Sequence, residues 1–585
     1  MSNIRPRKNE INGLFFAGCL IGILCFAVIY GLKIVNPFYD GWIFHGDMDL
    51  RQHYVGFCHF RTTPWHFPIG LIDTLSVPYS MSVVYTDSIP IFALVFKLLS
   101  GILPESFQYF GFFGLLSYTL MGGLSPVLIR RFTDNKMLCM EGSLFFTLSF
   151  PLLQRMYYHT ALSAQWIIIL ALILWVYTDI TDKTQIKKLS VYWALIGILS
   201  VFIHSYFVFM TGIVLLAQVV DGYARLYIKE KNESAVNSKK IKLLTRVIKD
   251  NIQIILPLIC MGISSFVILY LLGGFYGKGS VSGDGFGDFN ANLSAYINPL
   301  GFSSIFKGFN LYGFFEYEGF AYVGAGIILI LICALVTIIL EKNGKIKNAD
   351  GKNTIENNVD EWSDIKLNKA VIFAFILLVL FASCFPSFSF GRFKLIGIPV
   401  PVFVRSMLGI CRTNARFVWV GMYLILVAAL WFVAKRFDRK YIQVIFTIAV
   451  LLQVVEVFSV SAKYHQKYEK DYEYESIWEQ LESENVIDGK EEFVFMYGDS
   501  DIMMDTGYYA YKHGMSQNSY YYARTIYDEI NENIAEWTEK FLNGELSEKA
   551  VYVFRNEDYT KEFEKAAKEA NAKIYKFDGH VAVIK

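Results

Sequence analysis

Charge is what this sequence has least of. Asp, Glu, Lys and Arg make up 18% of its 585 residues while 54% are hydrophobic, which excludes both a disordered chain and an ordinary soluble domain. Cysteine is sparse and badly placed for structure. There are eight, with no CxxC pair and none beyond Cys411, so packed thiols within apolar runs are expected rather than a disulfide or zinc framework. Neither GxGxxG nor GxxxxGK(S/T) occurs, which removes the fingerprints of dinucleotide and P-loop sites. The net charge of +1 favours no partner class, and no nucleic acid is expected among the partners.

What is present is an alternation of long apolar runs and short polar connections. About 20 residues at 1.5 Å rise cross a bilayer core as a helix. Such runs fall near residues 12–35, 107–129, 138–153, 161–179, 189–203, 206–227, 252–272, 321–340, 370–385, 414–434 and 441–461, so the expected fold is an α-helical polytopic membrane protein of about eleven spans. The first run, GLFFAGCLIGILCFAVIYGLKIV, follows Arg5, Arg7 and Lys8 but is too long for a signal-peptide core and lacks a small-residue cleavage site, so it reads as an uncleaved span. SIPIFALVFKLLSGILP, from Ser88, is short, carries Lys97 and is bounded by prolines. Counting it as a span would put the basic turn RRFTDNK outside, so it is placed on the outer membrane surface as an interfacial helix. The alternate connections beginning with the N-terminus then hold 27 Lys and Arg against 11 in the opposite set, which sets the N-terminus in the cytoplasm and the C-terminus outside a plasma membrane. All nine histidines fall on the outer side.

Residues 1–462 therefore read as a membrane module with three sizeable outer segments, 36–106, 273–319 and 385–417. The inner loops 228–250 and 342–369, rich in Lys, Asn and Glu, read as solvated connectors. Over 463–585 the composition is that of a soluble domain. FVFMYG, AVYVF, KIYKF and HVAVI read as strands, the last two around an Asp578-Gly579 turn, and IYDEINENIAEWTEKFLNG and DYTKEFEKAAKEANA read as helices, giving a small extracytoplasmic α/β domain. Its stretch GYYAYKHGMSQNSYYY, 507–522, gathers tyrosines whose faces suit either a half-buried loop or a sugar ring.

The densest ionisable cluster, GWIFHGDMDLRQHYVGFCHFRTTPWHFP (41–68), lies just beyond the first span, where charge near lipid is costly. Asp47 and Asp49 precede LRQHYVGF; one reading makes an Asp the N-cap of a helix there, the other makes it a working carboxylate. The dipole of such a helix would keep Asp49 ionised. Asp87 in YTDSIP reads as a cap for the interfacial helix. His53, His59 and Asp49 lack a zinc-ligand spacing, so no metal is assigned. Weak oxygen-rich binding of Mg²⁺ or Mn²⁺ by Asp47 or Asp49 is the one cofactor option. In the third outer segment Arg405, Arg412 and Arg416 flank a span, with Arg412 and Arg416 on one face of a continuous helix. Their forks suit phosphate; the bland alternative is anchoring by snorkelling. Glu316 and Glu318, in FFEYEGFAYVG, either contact substrate or pair with those arginines. His53, Arg61 and His159 complete the substrate-binding candidates on this face.

A first span, an outer loop with an early acidic motif and surface helices, a basic turn after the second span, some eleven spans and an extracytoplasmic C-terminal domain together resemble the GT-C superfamily of polytopic glycosyltransferases. GDMDLRQHYVGF…FR…PWHFPIG, TDSIPIFALVFKLL, NANLSAYINPLGFSS, YEGFAYVG and CRTNARFVW are similar to a bacterial branch of it, over roughly residues 10 to 460. The resemblance implies a polyprenyl-phosphate-linked sugar donor, no nucleotide sugar, and a catalytic Asp in the first outer loop that falls here on Asp49 or Asp47. Two Asp compete for one role and no Asp-Glu pair follows. The arginines would take the donor phosphate, and a hydroxyl of an envelope glycan, lipid or protein would accept the sugar in a hexosyltransferase-like reaction at the bilayer surface. The rival is a transporter or lipid flippase, which places ionisable groups near the bilayer midplane and often carries internal repeats. No repeat is visible, and Glu456 is the chief midplane charge. A non-catalytic scaffold would not need so many spans, and membrane acyl transfer would call for an inward or midplane histidine.

Overall fold

The computed structural model describes residues 8–233, 240–277, 286–343, 369–437, 439–498, 502–577 and 579–585. All eleven apolar segments are helical, and eight helices are long and apolar enough to cross a membrane by themselves. The segments 138–153, 321–340 and 370–385 form shorter helices: Lys136–Thr147 followed by Phe150–Arg155, then Ala325–Lys342 and Lys369–Cys384. The break in the first of these precedes Pro151, which lacks an N–H and so fits the opening turn of the second piece but not the interior of one long helix. The chain is a polytopic α-helical membrane protein with a small α/β C-terminal region.

Packing in the bundle starts from small residues. Gly18 and Gly22 of Lys8–Tyr30 lie against Gly122 and Tyr118 of Phe110–Arg130 so closely that a Cβ on either glycine would collide with the facing backbone, the close approach that small residues permit between membrane helices. At one end of this pair Arg130 binds Glu10 at 3.1 Å and Asp134 at 2.7 Å, which ties the N-terminal turn to RRFTDNK. The inner loop 228–250 departs from the solvated connector expected for it. The helix Tyr206–Glu233 runs through its start, and Lys240–Asp250 is a helix that buries Leu243 and Val247 while exposing Ile241, Leu244 and Ile248. Its lysines lower the apolar fraction and hide a helical apolar spacing. The other connector, 342–369, lies almost wholly outside the described residues, as does Asp578.

At the opposite end of the bundle the first outer segment folds into the helix Met48–Thr62, an antiparallel hairpin of Leu71–Ser76 with Tyr79–Ser82, and the helix Pro90–Leu98. The last of these has nine residues, too few to span a bilayer, and it exposes Val95 and Leu98 while burying Ala93. The final membrane helix, Arg439–Glu469, continues beyond residue 462 and delivers the chain to the C-terminal region. There a five-stranded sheet has the order Ser516–Gln517, Glu492–Phe495, Ala550–Arg555, His580–Ile584, Lys573–Phe577, parallel across the first three strands and antiparallel across the rest. The tyrosine-rich stretch is not a free loop. Its start belongs to the helix Ile502–Lys512, and Tyr508, Tyr509, Tyr520 and Tyr522 are buried. It docks on the first outer segment. His59 Nε2 donates to the Gly507 carbonyl at 2.7 Å, Gln52 donates to the Tyr521 carbonyl at 3.1 Å, and the Tyr520 hydroxyl donates to the Gln52 carbonyl at 3.0 Å.

Candidate active site

The helix expected from Leu50 begins two residues earlier, as Met48–Thr62, and Asp47 is its N-cap: extended backbone at Asp47 turns the carboxylate back to accept the Asp49 N–H at 3.3 Å. Asp49 therefore sits in the first turn with its own carboxylate free, accepting no hydrogen bond among the described residues. Both Asp residues line a cavity of about 530 Å³ at the end of the bundle. Its walls come from distant parts of the chain, among them the helix just described, the turn with Asp87, the turn after Phe150–Arg155 with His159, the turn with His204, the segment Phe314–Gly319 with Glu318, and the turns before Val418–Arg436 with Arg412 and Arg416. The docked C-terminal region closes one side with Tyr521, Arg524 and Tyr527.

The electrostatics of this cavity separate its groups. Burial, reinforced by the neighbouring carboxylates of Asp47, Glu318 and Asp87, pushes the Asp49 carboxyl up to about 7, against a smaller pull from Arg416. The helix dipole thus does not keep Asp49 firmly ionised, because its effect is confined to one turn while desolvation and three like charges act together. Glu318 behaves oppositely. Burial would raise it, but Arg155 and Arg416 hold it down at about 2. Arg155 Nη2 donates to Glu318 Oε2 at 2.9 Å and Arg416 Nε to the same oxygen at 2.8 Å, so Glu318 pairs with one of the expected arginines and with a second, fully buried one that sequence reasoning did not single out. Arg412 is different. It has no carboxylate partner among the described residues and lies over the Phe289 ring at 5.2 Å, leaving its guanidinium edge available to the cavity.

Below the cavity, three histidines surround Asp87. His159 Nε2 and His204 Nε2 lie 3.3 and 3.5 Å from its two carboxylate oxygens, and the His53 and His159 rings are 4.9 Å apart between centroids. Burial lowers His53 and His204 to about 3, so both are neutral. Asp87 does not cap the helix Pro90–Leu98, whose N-cap position is Ile89 without a side-chain bond. It faces the histidines instead, and nothing local in YTDSIP signals this, since both partners come from other loops.

The remaining candidates lie elsewhere. His53 is fully buried beneath the cavity. Arg61 donates to the carbonyls of Leu103, Pro104 and Glu105. Glu316 accepts from Asn292 at 2.8 Å and from the Tyr312 N–H at 3.0 Å, and with Arg405 it borders a separate groove of about 610 Å³. Among the described residues the one group of three or more His, Cys, Asp or Glu donors able to reach a single ion is His53, Asp87 and His159, whereas Asp47 and Asp49 offer two carboxylates that line the cavity without a third donor.

Residues 19–458 match the model of a family described as a domain of unknown function, DUF6311, and residues 482–585 match the model of the DUF6311 C-terminal domain. No curated protein matches the chain. Among solved structures, the apo crystal structure of the Archaeoglobus fulgidus oligosaccharyltransferase is similar at a TM-score of 0.43 and 11% identity, over 94% of this chain and 71% of that one.

Proposed function

The chain belongs to the DUF6311 family, and we propose that it is a membrane glycosyltransferase that moves a sugar from a polyprenyl-phosphate-linked donor to a hydroxyl of an envelope glycan, lipid or protein outside the cytoplasm. The observation that carries this reading is the pairing, across one cavity at the end of a membrane bundle, of a carboxyl raised to about 7 with an arginine that no carboxylate among the described residues neutralises. A base must be partly ionised near the working pH and still attract a proton. Asp49 meets that condition. In the proposed step the acceptor oxygen attacks the anomeric carbon, its proton passes to the Asp49 carboxylate, and the bond from that carbon to the phosphate oxygen breaks with its electron pair on the phosphate. The leaving group is already anionic, so a cation serves it better than an acid. Arg412 takes that role. Arg416 is held by Glu318 and contributes to the field around Asp49 rather than as a free fork. Asp47 fixes the start of the helix and thereby the place of Asp49.

The proposed orientation has the N-terminus in the cytoplasm of a plasma-membrane protein and the cavity, with its C-terminal wall, outside; the excess of Lys and Arg in the alternate connections supports it. The test is transfer of a radiolabelled sugar from polyprenyl-phosphate sugars by the purified chain, compared with Asp49→Asn. Transfer by the wild type and none by the variant is the expected result. An inactive wild type across the common polyprenyl-phosphate hexoses, or an unimpaired variant, removes the proposal.

A further inference from the structure

We propose that His53, Asp87 and His159 bind one divalent transition-metal ion of the zinc class at the floor of the cavity, a site that deepens the reading above and rests on it only for its role beside Asp49. The three donors lie within 4.8 Å of one another. The 3.3 Å between His159 Nε2 and Asp87 Oδ2 is close to the edge, about 3.3 Å, of a tetrahedron built on metal–ligand bonds of about 2.0–2.1 Å. The third ligand, within 4.8 Å of the other two, completes the set by moving in by up to about 1.5 Å.

The second observation is the state of the imidazoles. His53 is fully buried, and among the described residues neither of its ring nitrogens has a hydrogen-bond partner; His159 Nδ1 has none either. Buried polar nitrogens are almost always satisfied, so an imidazole with both nitrogens orphaned, turned toward a carboxylate and a second imidazole, points to a ligand. The surrounding groups also sort themselves. His204 Nδ1 accepts the Tyr206 N–H at 3.2 Å, so in the neutral ring the proton is on Nε2, which faces Asp87 Oδ1. His204 therefore orients the carboxylate and leaves Oδ2 for the ion, the arrangement usual around metal-bound carboxylates. Asp87 itself is held at φ +51, a conformation that a non-glycine residue adopts at a cost and that recurs at functional positions.

Two imidazoles and one carboxylate select a borderline cation over Mg²⁺ or Ca²⁺. Three protein ligands leave a coordination position open. His159 and Asp87 line the cavity, so that position faces the substrate space. His53 and Asp49 are one helical turn apart on the same helix face, which places the ion below the proposed base.

The test uses the full chain in detergent. Metal analysis of protein purified without chelator should give one equivalent of a first-row transition metal. Chelator-stripped protein should take up Co²⁺ with visible ligand-field bands that excess Mg²⁺ does not displace and Zn²⁺ does. His53→Ala should abolish the bands, and His204→Ala should weaken Co²⁺ binding by about 10–100-fold. Wild-type protein with neither stoichiometric metal nor Co²⁺ bands overturns the site, as does His53→Ala that binds Co²⁺ as the wild type does. The wild-type measurements stand even where a variant does not fold. None of these readouts depends on sugar transfer, so a metal site in an inactive protein, or transfer by a metal-free one, separates failure of one proposal from failure of the other.

Discussion

Replacing Asp49 by Asn tests the electrostatics of the cavity and its chemistry together. An ordinary aspartate ionises near 3.9, whereas Asp49 in the folded chain does so at about 7. Between these values the unfolded chain releases a proton that the folded chain retains, so ionising the solution costs the folded state about 1.36 kcal/mol for each pH unit. The contribution of Asp49 to stability is intact below the ordinary value and is lost as pH rises through about 7. From pH 5 to pH 7 the loss reaches at most about 2.7 kcal/mol. Asp49 is half-buried and cavity water reaches it, so about 1–2 kcal/mol is expected. Asn carries no proton, so Asp49→Asn should show a flatter stability profile and be the more stable protein at pH 8 by that amount, measured by thermal or denaturant unfolding in detergent at pH 5 and pH 8. Transfer should fall below detection in the variant, while wild-type transfer should lose about tenfold per pH unit below about 7. A variant with the wild-type slope of stability against pH would show that the surroundings do not raise this carboxyl. Retained transfer would remove Asp49 as the base, and a null Asp47→Asn would then shift the role to Asp47.

Arg412→Ala should raise the donor KM by tenfold or more, because a charge-assisted phosphate contact is worth about 1.5–3 kcal/mol; Arg412→Lys should restore part of it, and a wild-type KM in both variants returns Arg412 to a membrane anchor. Glu318→Ala leaves Arg155 and Arg416 buried without a counter-charge, so stability should drop by about 3–5 kcal/mol, read as loss of folded yield on size exclusion; unchanged yield would mean that solvent reaches the pair. A reporter fused after residue 240 should be cytoplasmic and one at Lys585 outside, by protease access in intact cells; the reverse pattern inverts the orientation. Deleting residues 470–585 removes the carbonyl partners of His59 and Gln52 and one wall of the cavity, so donor and acceptor use should both be lost. A truncated chain with wild-type donor binding would show that the first outer segment folds without its cover.

The membrane helices were legible because their signal is local: long apolar runs with charges confined to their flanks. The N-cap of Met48–Thr62 was legible for the same reason, since an Asp before an apolar-periodic stretch acts within one turn. The tail strands also follow from short β-branched and aromatic runs, apart from the two-residue strand Ser516–Gln517, too brief for any pattern. What failed were inferences that needed distant neighbours. Asp49 was expected to be ionised by its own helix, whereas burial first, then its neighbour Asp47 and the distant Glu318 and Asp87, raise it. Arg155 looked like one basic residue at the end of an apolar run, yet it is half of the cationic grip on Glu318. The tyrosines of 507–522 left a half-buried loop and a sugar platform both open, because aromatic hydroxyls suit both interfaces and sugars; Tyr508, Tyr509, Tyr520 and Tyr522 are buried, while Tyr521 lines the cavity.

The polar groups of this protein divide into those that are consumed and those that are not, and the division bears on transport against transfer. Glu456, expected from the sequence to be the chief midplane charge and the one a transporter would need free, is consumed at a helix end. Its carboxylate accepts the Tyr322 hydroxyl at 2.7 Å and also takes up Ser303 and the Ala325 N–H, and so caps the helix Ala325–Lys342 where the residue before it, Gly324, offers no side chain. A carboxylate with three donors fixed on it at a helix N-terminus is a structural cap. It would have to break the start of that helix to carry an ion or a proton. At the outer end the opposite holds. Asp49 accepts no hydrogen bond, Arg412 has no counter-charge and His53 has neither nitrogen satisfied among the described residues. Groups left uncompensated in a protected cavity raise the energy of the empty protein and lower that of the occupied one. Their convergence on one cavity at the end of the bundle favours a site that binds and reacts there over a path through the spans.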